Sequence, residues 1–83
     1  MTVGQLVSVE MVFDHSKKNF FPRKLLWNKK VYPIDKIALR HPIRQGRNLS
    51  YIFSVMSGEL YMRMKFDTDN LFWYLEEVDD GQS

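Results

Sequence analysis

The sequence contains no cysteine. Disulfides, thiolate zinc sites and cysteine nucleophiles are therefore excluded, and the lack fits a reducing compartment. Glycine is scarce, at four residues, and no P-loop pattern occurs, so a backbone cradle for nucleotide phosphates is not expected. No apolar run approaches the roughly 20 residues that span a bilayer. Met1-Thr2-Val3-Gly4 has no basic stretch leading into an apolar one. No signal peptide is expected, no membrane partner either, and the chain reads as cytoplasmic.

Catalytic groups are equally sparse. The two histidines are His15, in a polar loop, and His41, just before a proline. Neither lies in an acid–base motif. Ser8, Ser50, Ser54 and Ser57 lack the G-x-S-x-G context of a nucleophile elbow. Asp67-x-Asp69 opens like a calcium loop, but the places that need Gly and Glu hold Phe72 and Val78. Glu76 and Glu77 are neighbours in a strand pattern, so they point to opposite faces. Asn48-Leu49-Ser50 matches a glycosylation sequon, which is inert in a cytoplasmic chain. No catalytic residue, metal or cofactor is expected, and the chain reads as a non-enzymatic module.

What the sequence has is aromatic mass and period-two patterning. Eighty-three residues make one domain. Six Phe, four Tyr and two Trp supply its core, each buried ring removing roughly 150–250 Å² from water. Val7, Val9, Met11 and Phe13 alternate with polar partners, as in a half-buried strand. Phe20-Phe21-Pro22 re-enters the core after a polar loop, the proline marking a strand start or edge. Lys24–Trp27 and Lys30–Ile34 flank Asn28-Lys29, which predicts a tight hairpin. The phase then breaks near Asp35-Lys36, as at a β-bulge or a single helical turn. His41–Asn48 reads as a loop. Leu49–Met56 and Leu60–Phe66 alternate cleanly around Ser57-Gly58, and Leu71–Val78 forms a last, aromatic-rich strand.

The expected fold is all-β: a small antiparallel meander of about five or six strands curled into an SH3-like barrel or roll, with sequential strands pairing. An open curved sheet that completes its core by dimerising is the alternative. The domain covers residues 1–78, and residues 79–83 form an acidic, disordered tail. Trp27, Phe53, Phe66 and Trp73 are the expected aromatic core.

The charges are unevenly spread. Residues 17–47 hold ten of the twelve basic residues against the single acid Asp35, a local charge of +9, while the whole chain carries +2. Such asymmetry suggests a face for a polyanion, or a basic half beside an acidic half. Lys24, Lys29, Lys30, Arg40, Arg44 and Arg47 are the candidate nucleic-acid-binding residues, acting by phosphate neutralisation with little base readout. Tyr32, Tyr51, Tyr61 or Phe72 could offer a stacking face where exposed. The competing reading is a solvated surface that discourages edge pairing. On the last strands, Tyr61, Phe72 and Tyr74 fall opposite the expected core positions and are the candidate protein interface, for a second copy or another protein. A free strand edge could serve the same end.

Arg23-x-x-Leu26-Trp27-x-x-x-Val31-Tyr32-x-Ile34-x-x-Ile37, followed by Tyr51-x-Phe53-x-Val55, Phe66-Asp67 and Trp73-x-Leu75-x-x-Val78, carries a resemblance over roughly residues 20–78. It resembles a small uncharacterised bacterial family found alone, or beside and fused to Y-family (translesion) DNA polymerases. That family shows a Trp-rich stretch where this chain has Arg40-His41-Pro42-Ile43-Arg44. The resemblance implies a place in nucleic-acid metabolism and a polymerase-type protein as a partner. It implies no binding residues.

Overall fold

Turn chemistry sets the strands of this protein. The computed structural model describes residues 1–80. Asn28 and Lys29 both adopt positive φ, at 52° and 62°, the signature of a type I′ hairpin turn. It joins β2 (Asn19–Trp27) to β3 (Lys30–Pro33), as the sequence predicts. Gly46 and Gly58 take φ of 59° and 58° at the first place of two-residue turns, where a side chain would be strained. They join β4 (Lys36–Gln45) to β5 (Asn48–Ser57), and β5 to β6 (Leu60–Asp67). β1 spans Thr2–Asp14 and β7 spans Phe72–Asp79.

The seven strands form one antiparallel sheet in the order β3-β2-β1-β7-β6-β5-β4. It curls into a half-barrel, in keeping with the small barrel or roll expected. Two points of topology differ from a simple meander. β3 and β4, consecutive in sequence, occupy opposite edges, and β1 pairs with β7 instead. The link between the edges is two residues long. The Ile34 N–H donates to the Arg23 carbonyl on β2, and the next N–H, of Asp35, donates to the Met56 carbonyl on β5, each at 2.8 Å. Successive peptide groups thus tie the two sides of the curl together. The Asp35 carboxylate completes the tie by accepting the Gly58 N–H.

β1 is the hinge of the curl. Its first half pairs with β7 as far as Val7, opposite Trp73, and its second half pairs with β2 alone. Residues Met11 and Phe13 therefore lie on an arm that outruns β7, and both are exposed rather than half-buried. Opposite them, β2 carries one extra residue, Arg23, at a bulge beside the buried Pro22. A bulge is where a strand tolerates a proline's missing donor.

The core lies inside the curl. Phe53, Val55, Met62, Met64 and Leu75 are fully buried on the central strands, and Leu25 meets them from β2. Phe66 and Trp73 join this cluster, while Trp27 packs at its border. Phe53 stacks against Trp73 with ring centroids 5.5 Å apart, and Phe66 lies 4.8 Å from Trp73. Three local expectations are corrected. His41–Gln45 belongs to β4, paired with β5 from Ile52 to Asn48; as an edge strand, β4 accommodates Pro42. The β4 register slips between Ile37 and Leu39, not at Asp35-Lys36. β7 extends through Asp79, opposite Tyr61, so the strand ends one residue beyond the expected boundary. Asp80 follows without regular structure, and residues 81–83 of the expected tail lie outside the described residues.

Candidate nucleic-acid interface

The six basic candidates divide into two groups. Lys24 sits on β2, opposite Glu10 and Pro33, while Lys29 and Lys30 occupy the β2–β3 turn and the strand after it. Arg40 and Arg44 lie on β4, and Arg47 in the turn that follows. Curling brings β2 towards β4 through Phe20, whose ring lies 5.1 Å from the Arg40 guanidinium. Lys29, however, is nine residues further along the hairpin, roughly 30 Å at strand rise. A single six-residue face is not formed.

The β4 group is the better-built one. The register sets Arg40 opposite Phe53, Pro42 opposite Tyr51 and Arg44 opposite Leu49. Directly opposed residues share a face, so Arg40 and Arg44 project to the inner side, at the open mouth of the half-barrel. The Arg40 guanidinium lies over three rings: Tyr51 at 4.7 Å, Phe20 at 5.1 Å and Phe53 at 5.8 Å. Phe20 meets Tyr51 edge-on, with centroids 5.1 Å apart. The negative ring faces hold the cation without neutralising it. None of Lys24, Lys29, Lys30, Arg40, Arg44 and Arg47 has a carboxylate partner among the described residues, whereas Arg23 pairs with Glu10 and Arg63 with Glu76.

Two turns flank this mouth, and carboxylates fix both. The Asn48 amide donates to Asp67 at 3.0 Å and to Asp69 at 2.8 Å, tying the β4–β5 turn to the β6–β7 turn beside Arg47. The Asp69 backbone N–H, and after it the Asn48 amide, hold the Asp67 carboxyl below its ordinary pKa. In the β1–β2 turn, Asp14 accepts from the Ser16 hydroxyl at 2.8 Å and the Lys17 N–H at 3.3 Å. The hydroxyl contributes most to lowering the Asp14 pKa. This turn ends in Lys17 and Lys18, two or three residues before Phe20, within roughly 10 Å of it along the chain. Lys17 and Lys18, outside the six candidates, thus lie two or three residues along the chain from a ring that faces Arg40. The signal that would have found the arrangement is Gln45-Gly46-Arg47-Asn48. Read as a two-residue Gly-X turn, it sets Arg44, Pro42 and Arg40 opposite Leu49, Tyr51 and Phe53.

The β2–β3 hairpin carries a smaller version of the same chemistry. Lys30 Nζ lies 5.3 Å from the Tyr32 ring centre, and Tyr32 lies 5.9 Å from Trp27. Of the four stacking candidates, Tyr51 alone adjoins an arginine in this way.

Of the candidate protein-interface residues, Phe72 and Tyr74 lie two apart on one face of β7, and Tyr61 stands away from Phe72. Tyr61 pairs with Met56 and Asp79, six residues along β6 from Asp67, the partner of Phe72. That is roughly 20 Å. Tyr61 is half-buried, and its hydroxyl donates to Ser54 Oγ at 3.0 Å. Tyr74 is half-buried between Leu6 and Lys65, and Phe72 is exposed. The second face of β5 is buried too: Ser50, Ile52 and Ser54 sit among half-buried His41, Ile43, Arg63 and Lys65. His41 faces Ile52 across the ladder, and His15 lies in the exposed β1–β2 turn. Among the described residues, no group of three or more His, Asp or Glu side chains is placed to hold a metal ion. No helix is long and apolar enough to cross a membrane.

Comparison with protein-family models, curated proteins and solved structures returns no match.

Proposed function

We propose that this protein is a non-enzymatic β module that binds single-stranded nucleic acid along β4, through Arg40, Arg44 and Arg47. The observation that carries this reading is Arg40. Its guanidinium lies over Tyr51, Phe20 and Phe53 with no carboxylate partner among the described residues, at the mouth of the curl. A cation held on an aromatic wall offers a phosphate a charge and a base a flat surface. Arg44, on the same face, and Arg47, in the next turn, extend the track. Lys17 and Lys18 add to it from the β1–β2 turn. The resemblance to a family linked with translesion polymerases supports the same direction, and names a polymerase-type protein as the companion.

Fluorescence anisotropy with labelled single-stranded DNA and RNA tests this. The expected result is micromolar binding with a log–log salt slope of roughly −2 to −3.5, for three to five phosphate contacts on a single strand. Arg44→Glu with Arg47→Glu reverses two charges away from the aromatic wall, and should weaken binding by at least about tenfold. Arg40 is the wrong residue for this test, because its substitution also strips a cation from three core-lining rings. Binding unchanged in the folded double variant would remove β4 as the site.

A further inference from the structure

The opposite side of the sheet carries a different surface. Five apolar residues, Leu6, Leu26, Val31, Leu71 and Phe72, each have between 46% and 68% of their surface exposed. The register explains why they adjoin. Val31 lies opposite Leu26, Leu26 opposite Ser8, and Leu6 opposite Tyr74, two residues from Phe72. Ser8, the small residue between them, leaves an open hollow of about 600 Å³ bordered by Leu6, Leu26, Leu71 and Phe72.

We infer that this face is the interface between two copies of the chain. Three features favour a second copy as the occupant. The first is area. The five side chains expose roughly 500 Å², the upper range for the largest apolar patch of a monomer, and with a polar rim this approaches the roughly 800 Å² per partner of a stable dimer. The second is shape. Leu71 is held at φ 63°, a conformation disfavoured for a branched side chain, and projects at the rim of the hollow. A patch that owns both a projection and a hollow can meet itself across a two-fold axis. The third is charge. Glu10 and Lys24 stand opposite each other at the border of the patch, so a second copy meets both signs. The β4 arginines project from the other face of the sheet, so dimerisation leaves them open.

Sedimentation equilibrium from low micromolar to submillimolar concentration tests the inference. The mass should rise from 9.9 kDa to twice that value. Leu26→Glu with Val31→Glu, checked for fold by circular dichroism, should weaken dimerisation roughly 100-fold. The chain has no cysteine, so Ser8→Cys gives a single thiol near the centre of the patch. It should yield a disulfide-linked dimer on mild oxidation, and Arg47→Cys should not. The inference is overturned if the wild-type chain stays monomeric at the highest concentration. It is also overturned if the folded double variant dimerises as the wild type does. Should the double variant not fold, absence of the Ser8→Cys cross-link overturns it.

Discussion

Phe53→Ala should cost about 3–5 kcal/mol of stability, the largest single loss expected in this domain. A chain of this size has roughly 4–12 kcal/mol in total, at about 0.05–0.15 kcal/mol per residue. The substitution therefore leaves a marginal or unfolded protein. Phe53 is fully buried, packs at a tilt against Trp73 and edge-on against Phe20, and lies beneath Arg40. Its removal opens a cavity at the point where β5, β7, β2 and β4 meet, and rings cannot collapse into it without leaving their rotamers. Phe13→Ala provides the control. The chemistry is the same, but Phe13 is exposed on the arm of β1 that outruns β7. Its loss should fall within about 0.5 kcal/mol. Urea denaturation of both variants decides the matter, and equal losses would show that the core has been placed wrongly.

Leu25→Ala should cost about 2–5 kcal/mol, and its effect should be global. Leu25 is the fully buried aliphatic side chain that β2 sends into the core, opposite Val9 on β1 and Tyr32 on β3. The three-stranded arm β1–β2–β3 is thus joined to the rest of the sheet by the β1–β7 ladder and by Leu25, with Val7, Val9, Phe20 and Trp27 packed around it. The two tryptophans report the two sides separately: Trp27 lies on β2 and Trp73 on β7. In single-tryptophan versions, both signals should shift to lower urea together, because one core serves both sides. An early transition seen by Trp27 alone would mean that the arm melts as a separate unit.

How much of this was legible in the sequence follows from how local each signal was. Period two marked β5, β6 and β7, since their alternating residues face one continuous core. Asn28-Lys29 named its own turn, because few residues accept two successive positive φ values. β4 was not legible beyond Leu39. An edge strand has one neighbour and one open side, so Arg40, Pro42 and Arg44 can occupy its inner positions without the run of large apolar side chains that marks a central strand. The β1–β7 pairing joins residues some 70 positions apart, and nothing local encodes it. Met11 and Phe13 kept the inward rhythm but lacked a strand to cover them. The charge asymmetry was visible at once. Its division was not, because Lys24, Lys29 and Lys30 share a hairpin while Arg40, Arg44 and Arg47 share an edge strand. The Tyr61 hydrogen bond to Ser54 and the meeting of Phe72 with Leu6 on β1 and Leu26 on β2 around one hollow depend on distant strands, and no local pattern marks them.

We propose that β4 and its aromatic wall bind nucleic acid. A nitrogen-15 NMR titration with a short single-stranded oligonucleotide tests it residue by residue. The largest shifts should fall on Arg40, Arg44, Arg47 and Tyr51, with smaller ones at Lys17 and Lys18. Shifts confined to Leu6, Leu26, Val31 and Phe72, or no shifts at low salt, would contradict it.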